Sequence, residues 1–292
     1  MGAVKELPLV SVVTPTRNRP DMLREAYASL LGQTLQDFEF VISVNGRDAK
    51  SLPEARRIEN TDKRAKVLYD PRANLSEAWN AGFKASEGDV LHFFADDDLL
   101  EPRFLELGVG ALADRPELDL VGTDYIAFTG DGRAVRMPCR LTNPGAAAAG
   151  NGTPALGAFN LNVSLFRRNL LRVMDVGPGP FDPSFRTRGD EDLFVRLSGS
   201  KARALHICTP LVRYRVHPGQ ATQGNAARHF FEHMRVANSF SRPSLRDAMA
   251  QSLWALNRRT GFLGTRVKRQ MGWATTYRLT AIEQLMYPEL AT

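Results

Sequence analysis

The chain has 292 residues, 43% hydrophobic and 24% charged, and carries 38 basic against 32 acidic side chains. This composition excludes a wholly disordered chain and suits one large α/β domain with an appendage. The charge is uneven: residues 1–221 hold 28 of each sign, whereas residues 222–292 hold ten basic and four acidic side chains.

Leu9–Val13 is short, apolar and β-branched and stops at Thr14-Pro15, which predicts a buried first strand. Pro20-Asp21 opens a helix, with proline at the first helical position and an acid at the positive end of the dipole. Leu23, Tyr27, Leu30 and Leu31 share its apolar face. Phe38–Val44 is a second strand, ended by Asn45-Gly46, and Lys66–Tyr69 a third. Ser76–Ala85 is helical. Asp89–Ala95 is a fourth strand that runs straight into Asp96-Asp97-Asp98, and Pro102–Ala113 is the next helix. Leu120–Phe128 reads as a strand, Asp131-Gly132 as a turn, and the Gly, Ala and Pro-rich stretch Asn143–Gly157 as a binding loop or lid. Asn162–Phe166 is a strand, Arg167–Met174 and Gly189–Ser198 are helices, and Ala202–Ile207 and Leu211–Val216 are strands. From about Ala226 the pattern is helical and basic, with Trp254, Trp273 and Tyr277 interspersed. The alternation predicts an α/β fold over residues 1–221, a mostly parallel sheet flanked by helices, followed by a helical basic extension over 222–292. In such a sheet the loops after the strands meet along one edge, where ligands bind. Thr14–Arg19, Val44–Asp48 and Asp96–Asp98 are the polar stretches that would converge there.

Two acidic clusters stand out. Asp96-Asp97-Asp98 follows a run of apolar and aromatic residues, and adjacent carboxylates repel unless a cation neutralises them. Carboxylate oxygens suit Mg²⁺ or Mn²⁺, and Mg²⁺ is commonly shared between one or two carboxylates and substrate phosphates. The triplet therefore suggests a metal–diphosphate site; a solvated turn before Pro102 is the plain alternative. Asp190-Glu191-Asp192 opens a helix, which the helix dipole alone explains; a general base is the functional alternative. Neither a Gly-x-x-x-x-Gly-Lys-Ser/Thr loop nor a Gly-x-Gly-x-x-Gly turn follows the first strand, so a P-loop nucleotidase and a dinucleotide dehydrogenase lose support.

The ordered motifs Val12-Val13-Thr14-Pro15-Thr16-Arg17-Asn18-Arg19, Ser29-Leu30-Leu31-Gly32-Gln33-Thr34, Asn74-Leu75-Ser76-Glu77-Ala78-Trp79-Asn80-Ala81-Gly82 and Ser86-Glu87-Gly88-Asp89 lead into Phe94-Ala95-Asp96-Asp97-Asp98. With Glu191-Asp192, Arg196-Leu197 and Tyr214-Arg215-Val216-His217, the sequence resembles the family 2 glycosyltransferases over about residues 8–220. The resemblance implies the GT-A fold and an enzyme that moves a sugar, with inversion, from a nucleoside diphosphate to an acceptor hydroxyl. It implies that Thr14, Pro15 and Arg17 lie against the nucleoside, that Asn80 belongs to the donor site, and that Asp96 faces the ribose or sugar. Asp97 is the expected ligand of Mn²⁺ or Mg²⁺. Asp98 is a second candidate ligand, or else binds the donor sugar or braces the loop, and His217 is an additional metal or phosphate contact. Asp192 is the expected base, with Glu191 next.

Two departures accompany the resemblance. The position before Asn45-Gly46, usually an acid that pairs with the nucleotide base, is Val44, which has no hydrogen-bond acceptor in its side chain. Asn45, Asp48 or Asp70 takes over, or the nucleotide is not UDP; a UDP-sugar is the expected donor, with GDP and dTDP open. Ala95 stands where the family often starts its metal motif. The expected acceptor is a glycan, a lipid-linked sugar, a polysaccharide or a small molecule. The basic quarter fits peripheral contact with an anionic membrane, a homo-oligomer interface or a cap over the acceptor, and no nucleic-acid-binding motif appears. A degenerate binding or scaffold protein on the same fold and a nucleotidyltransferase are the alternatives. No apolar run approaches the roughly 18 residues of a spanning helix, and Met1–Glu6 lacks the apolar core of a secretory signal. Cys139 and Cys208 lack metal-site spacing, so neither a zinc ribbon nor a disulfide framework is expected, and the expected location is cytoplasmic, at most peripheral to the inner face of a membrane.

Overall fold

A computed structural model describes residues 9–47, 50–138, 161–217, 219–220, 228 and 231–236. The expected loop over 143–157, Asp48, and the tail beyond residue 220 apart from 228 and 231–236 lie outside the described residues. The chain divides into two compact units, Met1–Ile126 with Arg136–Arg215, and Ala127–Val135 with Val216–Thr292.

The sheet of the first unit begins with two strands buried along their whole length, β1 (Val10–Thr16) and β2 (Phe38–Asn45). Their mostly apolar character suits central parallel strands with helices on both faces, and the polar residues within them, Ser11 and Glu39 among them, are buried too. They pair in parallel register from Val10↔Phe38 to Thr16↔Val44. β3 (Ala65–Asp70) lies parallel outside β2, ending on Asn45↔Asp70, and β4 (Val90–Phe93) lies parallel on the other side of β1. Beyond β4 the direction reverses. β8 (Ser164–Arg167) runs antiparallel to β4, and β6 (Leu120–Thr129) antiparallel to β8. With β5 (Leu99–Leu100) and β9 (Ala204–Val216), the order is β3-β2-β1-β4-β8-β6-β9-β5, with β7 (Ala134–Met137) beside β6. The α/β fold expected from the alternation is thus present, with its parallel half in residues 10–93.

Most helices fall where the apolar spacing predicts them: α1 (Pro20–Leu31), α3 (Leu75–Ala85), α4 (Phe104–Asp114), α5 (Arg168–Val173) and α6 (Gly189–Ser198). α1 buries Leu23, Ala26, Tyr27 and Leu30. Leu31, expected on that face, is exposed, because at 100° per residue it falls beyond the edge of the stripe. α2 (Ser51–Thr61) has no counterpart in the sequence reading; its buried side is small and interrupted by charge, with only Ala55 and Ile58 as buried apolar residues. The two strands expected over 202–216 are one, β9 (Ala204–Val216). Pro210 does not break it, since the pairing with β5 (Leu99–Leu100) stops at Leu100↔Val212 and leaves no ladder bond on that side for Pro210 to donate.

The core is aromatic: Phe40, Phe93, Phe94, Phe104, Phe166 and Phe181 are all fully buried. Phe181 meets Phe93 edge-on, centroids 4.9 Å apart, and Trp79 of α3 at 4.7 Å. This anchors the stretch that leads into α6. His92 is fully buried between Phe94 and Phe104, with Nδ1 3.0 Å from the Ser164 carbonyl, and burial pushes its pKa down to about 4. No described helix is long and apolar enough to cross a membrane. In the second unit, Asp131-Gly132 makes the expected turn, with Gly132 at φ 88° and Thr129 N–H donating to the Arg133 carbonyl at 2.9 Å, and residues 231–236 are helical.

Candidate functional site

The parallel register brings Thr16, Asn45, Asp70 and the Asp96–Asp98 turn to one edge of the sheet, the carboxyl ends of β1 to β4. β4 stops at Phe93, and Phe94 N–H still bonds to the Val13 carbonyl, so the chain leaves the sheet directly into the three carboxylates. Asp96 accepts from Thr16 Oγ1 at 2.7 Å and from Arg19 Nη1 at 3.1 Å. The same Arg19 nitrogen donates to Asp97 Oδ2 at 2.7 Å. Burial, followed by the charge of Asp97, raises Asp96 to about 6 against the opposing pull of Arg19 and Thr16.

Asp98 is only 1% exposed. It accepts from Asn162 Nδ2 at 2.7 Å and from the Arg215 backbone N–H at 2.8 Å, and burial pushes its pKa well up. One oxygen ties the turn to the end of β9 and the other ties it to Asn162 just before β8, so in this structure Asp98 braces the loop. Arg215 adds a 2.8 Å bond from Nε to the Asp97 carbonyl and an ion pair to Glu25.

For a divalent cation the fit rests on Arg19 Nη1. It marks one point within hydrogen-bonding distance of oxygens from both Asp96 and Asp97, and a positive charge already stands there as a proxy ion. Hard carboxylate oxygens in this number suit Mg²⁺ or Mn²⁺ shared with phosphate oxygens. Among the described residues no three His, Cys, Asp or Glu side chains gather into a protein-only cage.

The residues expected against the nucleoside lie around this edge. Thr14 is buried with its hydroxyl unpartnered, and Pro15 and Thr16 continue β1. Arg17 is exposed and lies against Gly46, whose φ of 73° excludes most residues; a Cβ there would stand 3.0 Å from Arg17 Nε. Val44 is part of the core at 1% exposure. Asn45 and Asp70, two of the acid's expected replacements, sit level on neighbouring strands, and Asp70 is exposed.

Asn80, expected at the donor site, lies on α3. Its amide is spent on one backbone unit: Nδ2 donates to the Phe181 carbonyl at 2.6 Å, and Oδ1 accepts from Phe181 N–H at 3.0 Å. Asn74 Nδ2 likewise donates to the Pro183 carbonyl at 2.9 Å and Ser76 Oγ to the Phe185 carbonyl at 2.7 Å. One face of α3 thus spaces residues 181–185 and sets the entry to α6. Gly189 and Gly179 let this happen, since a Cβ on either would come within 2.4 Å of Ser76 or Asn80. The sequence signal for this clamp is present but weak: Asn74, Ser76 and Asn80 are polar residues on a helix face otherwise apolar.

At the start of α6, Asp192 is held by Arg196 one turn on, at 2.9 Å from Nε and 2.8 Å from Nη2. Glu191 pairs with Arg188 at 2.7 Å. Asp190 is half-buried, burial raises its pKa, and its Oδ1 accepts from the Glu191 N–H. Arg196 also donates to the Met174 and Pro180 carbonyls, so Asp192 is locked to the same stretch that α3 clamps. His217 directly follows β9 and belongs to the second unit. The residue missed in the sequence is Arg19, whose signal was its place at the end of the polar Thr14–Arg19 stretch that follows the apolar run of β1.

The model of the family described as Glycosyl transferase family 2 matches residues 11–172. EpsJ, an uncharacterized glycosyltransferase of Bacillus subtilis (strain 168), is 30% identical over 132 residues, 45% of this chain and 38% of EpsJ. Among solved structures, S. aureus TarS 1-349 in complex with UDP-GlcNAc shares the fold with a TM-score of 0.64 at 16% identity, over 97% of this chain and 78% of that one. The mannosyltransferase PcManGT from Pyrobaculum calidifontis, in complex with GDP-Man and Mn²⁺, has a TM-score of 0.58 at 16% identity, over 98% of this chain and 80% of that one. The chain spans well under two thirds of EpsJ, and the family match covers the parallel half of the sheet, its acidic turn and α3. On that match, this chain belongs to glycosyl transferase family 2.

Proposed function

We propose that the chain transfers a sugar from a nucleoside diphosphate sugar to an acceptor hydroxyl, with inversion at the anomeric carbon and with Mn²⁺ or Mg²⁺ at Asp97 and Asp96. The observation that carries this reading is the convergence of the Asp96 and Asp97 carboxylates on one cationic nitrogen at the carboxyl edge of the parallel strands. The fold shared with proteins solved with UDP-GlcNAc and with GDP-Man and Mn²⁺ agrees with it. A bound divalent ion would supply charge neutralisation for the departing diphosphate. Thr14, Pro15, Arg17, Asn45 and Asp70 hold and select the nucleoside, and Thr16 fixes Asp96 for the ribose or sugar. Asp98 keeps the turn rigid.

Asp192 accepts the proton of the attacking hydroxyl. As the new carbon–oxygen bond forms, the bond from the anomeric carbon to the diphosphate oxygen breaks on the opposite side. Arg196 holds the Asp192 carboxylate in one orientation. Glu191, paired with Arg188, is the next base in line. The acceptor, a glycan or lipid-linked sugar, and contact with the cytoplasmic face of an anionic membrane are proposed for the basic residues 222–292.

Calorimetric titration with UDP, GDP, dTDP and CMP, each with and without Mn²⁺, tests the donor class. One diphosphate binding in a metal-dependent way is the expected outcome. A folded protein that binds none of them would overturn the reading.

A further inference from the structure

We infer that Arg19 is a built-in counter-cation for the Asp96–Asp97 pair, which a divalent ion must displace and which then moves to the diphosphate that the ion holds. This rests on the proposed donor site and adds a residue to it.

Asp96 and the backbone of Asp97 each have an anchor other than Arg19. Asp96 stays held by Thr16 Oγ1 at 2.7 Å, and the Asp97 backbone stays held by Arg215 Nε at 2.8 Å, whichever way Arg19 turns. The Asp96 and Asp97 side chains are 6% and 11% exposed, whereas that of Arg19 is 23% exposed. The Arg19 backbone is pinned on both sides, its N–H by Ser51 Oγ at 2.8 Å and its carbonyl by the Leu23 N–H at 3.0 Å. Displacement is therefore a rotation of the side chain about a fixed stem, not a loop movement. A guanidinium cannot lose its proton to make room, so an ion binding at the shared point expels it as a cation. A guanidinium set free beside a diphosphate finds planar, bidentate partners in the phosphate oxygens, the geometry for which arginine is best suited. Arg19 thus keeps the donor-free site neutral enough to fold and couples metal binding to diphosphate binding.

The test is Mn²⁺ alone, titrated into the full chain and followed by loss of the free-ion electron paramagnetic resonance signal. Arg19→Gln is expected to bind Mn²⁺ at least tenfold more tightly than the parent, because nothing has to be expelled. Its thermal midpoint is expected to fall without Mn²⁺ and to recover further on adding Mn²⁺ than the parent's rises. With Mn²⁺ saturating, its affinity for the nucleoside diphosphate that the parent binds is expected to fall about tenfold. Arg19→Lys, which keeps the charge but not the fork, is expected between the two, and serves if the glutamine variant does not fold. In an Asp97→Asn background neither substitution should raise Mn²⁺ affinity. Mn²⁺ binding to both variants that is no tighter than to the parent overturns the counter-cation role. Tighter Mn²⁺ binding with unchanged diphosphate affinity overturns the transfer of Arg19 to the diphosphate. If nucleoside diphosphates bind while Mn²⁺ affinity is unchanged, the donor site survives and only Arg19's part in it is lost. If no nucleoside diphosphate binds any form, it is the donor-site reading that fails.

Discussion

The two ends of the parallel strands handle buried charge in opposite ways. At the amino end, Glu39 accepts from Ser11 Oγ at 2.7 Å, from the Gly88 N–H at 3.3 Å and from the Glu87 N–H, with Lys66 3.8 Å away. Arg168, buried beside it, spends its guanidinium on the Gly88 carbonyl at 2.5 Å, Ser86 Oγ at 3.1 Å, Ser11 Oγ at 3.3 Å and the Phe83 carbonyl at 3.4 Å. At the carboxyl end, three successive carboxylates crowd one turn, and burial with mutual repulsion raises Asp96 and Asp98. The first end ties β1, β2, β4 and α5 together. The second keeps negative charge in excess where a ligand can neutralise it, and such an imbalance marks a site rather than a scaffold.

Substitutions can break this contrast from either side. The largest expected effect is that of Asp192→Asn, which should lower transfer on the order of 10⁴-fold, the upper range for loss of a general base, and leave donor binding intact. Initial rates beside donor titration check this, and retained turnover would move the role to Glu191. Arg168→Met should cost about 3 kcal/mol in urea unfolding, since it leaves the buried Gly88 carbonyl and its neighbouring acceptors without their donor, yet any folded fraction should bind nucleotide normally. Asp97→Asn should do the reverse, weakening Mn²⁺-dependent nucleotide binding on the order of 100-fold while leaving the unfolding midpoint unchanged or higher. A loss of stability there would show that the acidic turn is structural after all.

The smallest effect concerns His92, midway along β4. Its pKa is about 4 when folded against about 6.5 when unfolded, so the unfolded chain takes up the proton first as the medium acidifies. The neutral form's contribution is complete above pH 6.5 and is lost on going down towards pH 4, about 3 kcal/mol over the whole window. Urea unfolding at stepped pH should show this slope in the parent and a flatter one in His92→Phe.

How much was legible in the sequence follows from which interactions are local. β1, β2, β4 and the acidic turn were readable because a buried parallel strand is written as a short, mostly apolar and β-branched run and its end as a polar stretch. α6 was readable to the residue, since Gly189, its acids and Gly199 punctuate it. α2 was not, because a helix that buries so few apolar residues carries almost no periodicity. β9 was divided at Pro210 because a lone sequence does not show which side of a strand lacks a partner. Asn80 was assigned to the donor by its motif, whereas its partner is a backbone group 101 residues away. The Arg19 contacts span 77 and 78 residues and were equally out of view.

The clamp on α3 also bears on the order in which the molecule is made. Asn74, Ser76 and Asn80 belong to the first third of the chain, and their partners Pro183, Phe185 and Phe181 lie 101 to 109 positions later. During synthesis the four parallel strands can pair before any of those partners has left the ribosome, whereas Asp192 has no fixed position until they arrive. Closing so long a loop is slow relative to local pairing. In a refolding experiment, nucleotide binding should therefore return before transfer does, and the interval between them measures how long α3 waits for the rest of its chain.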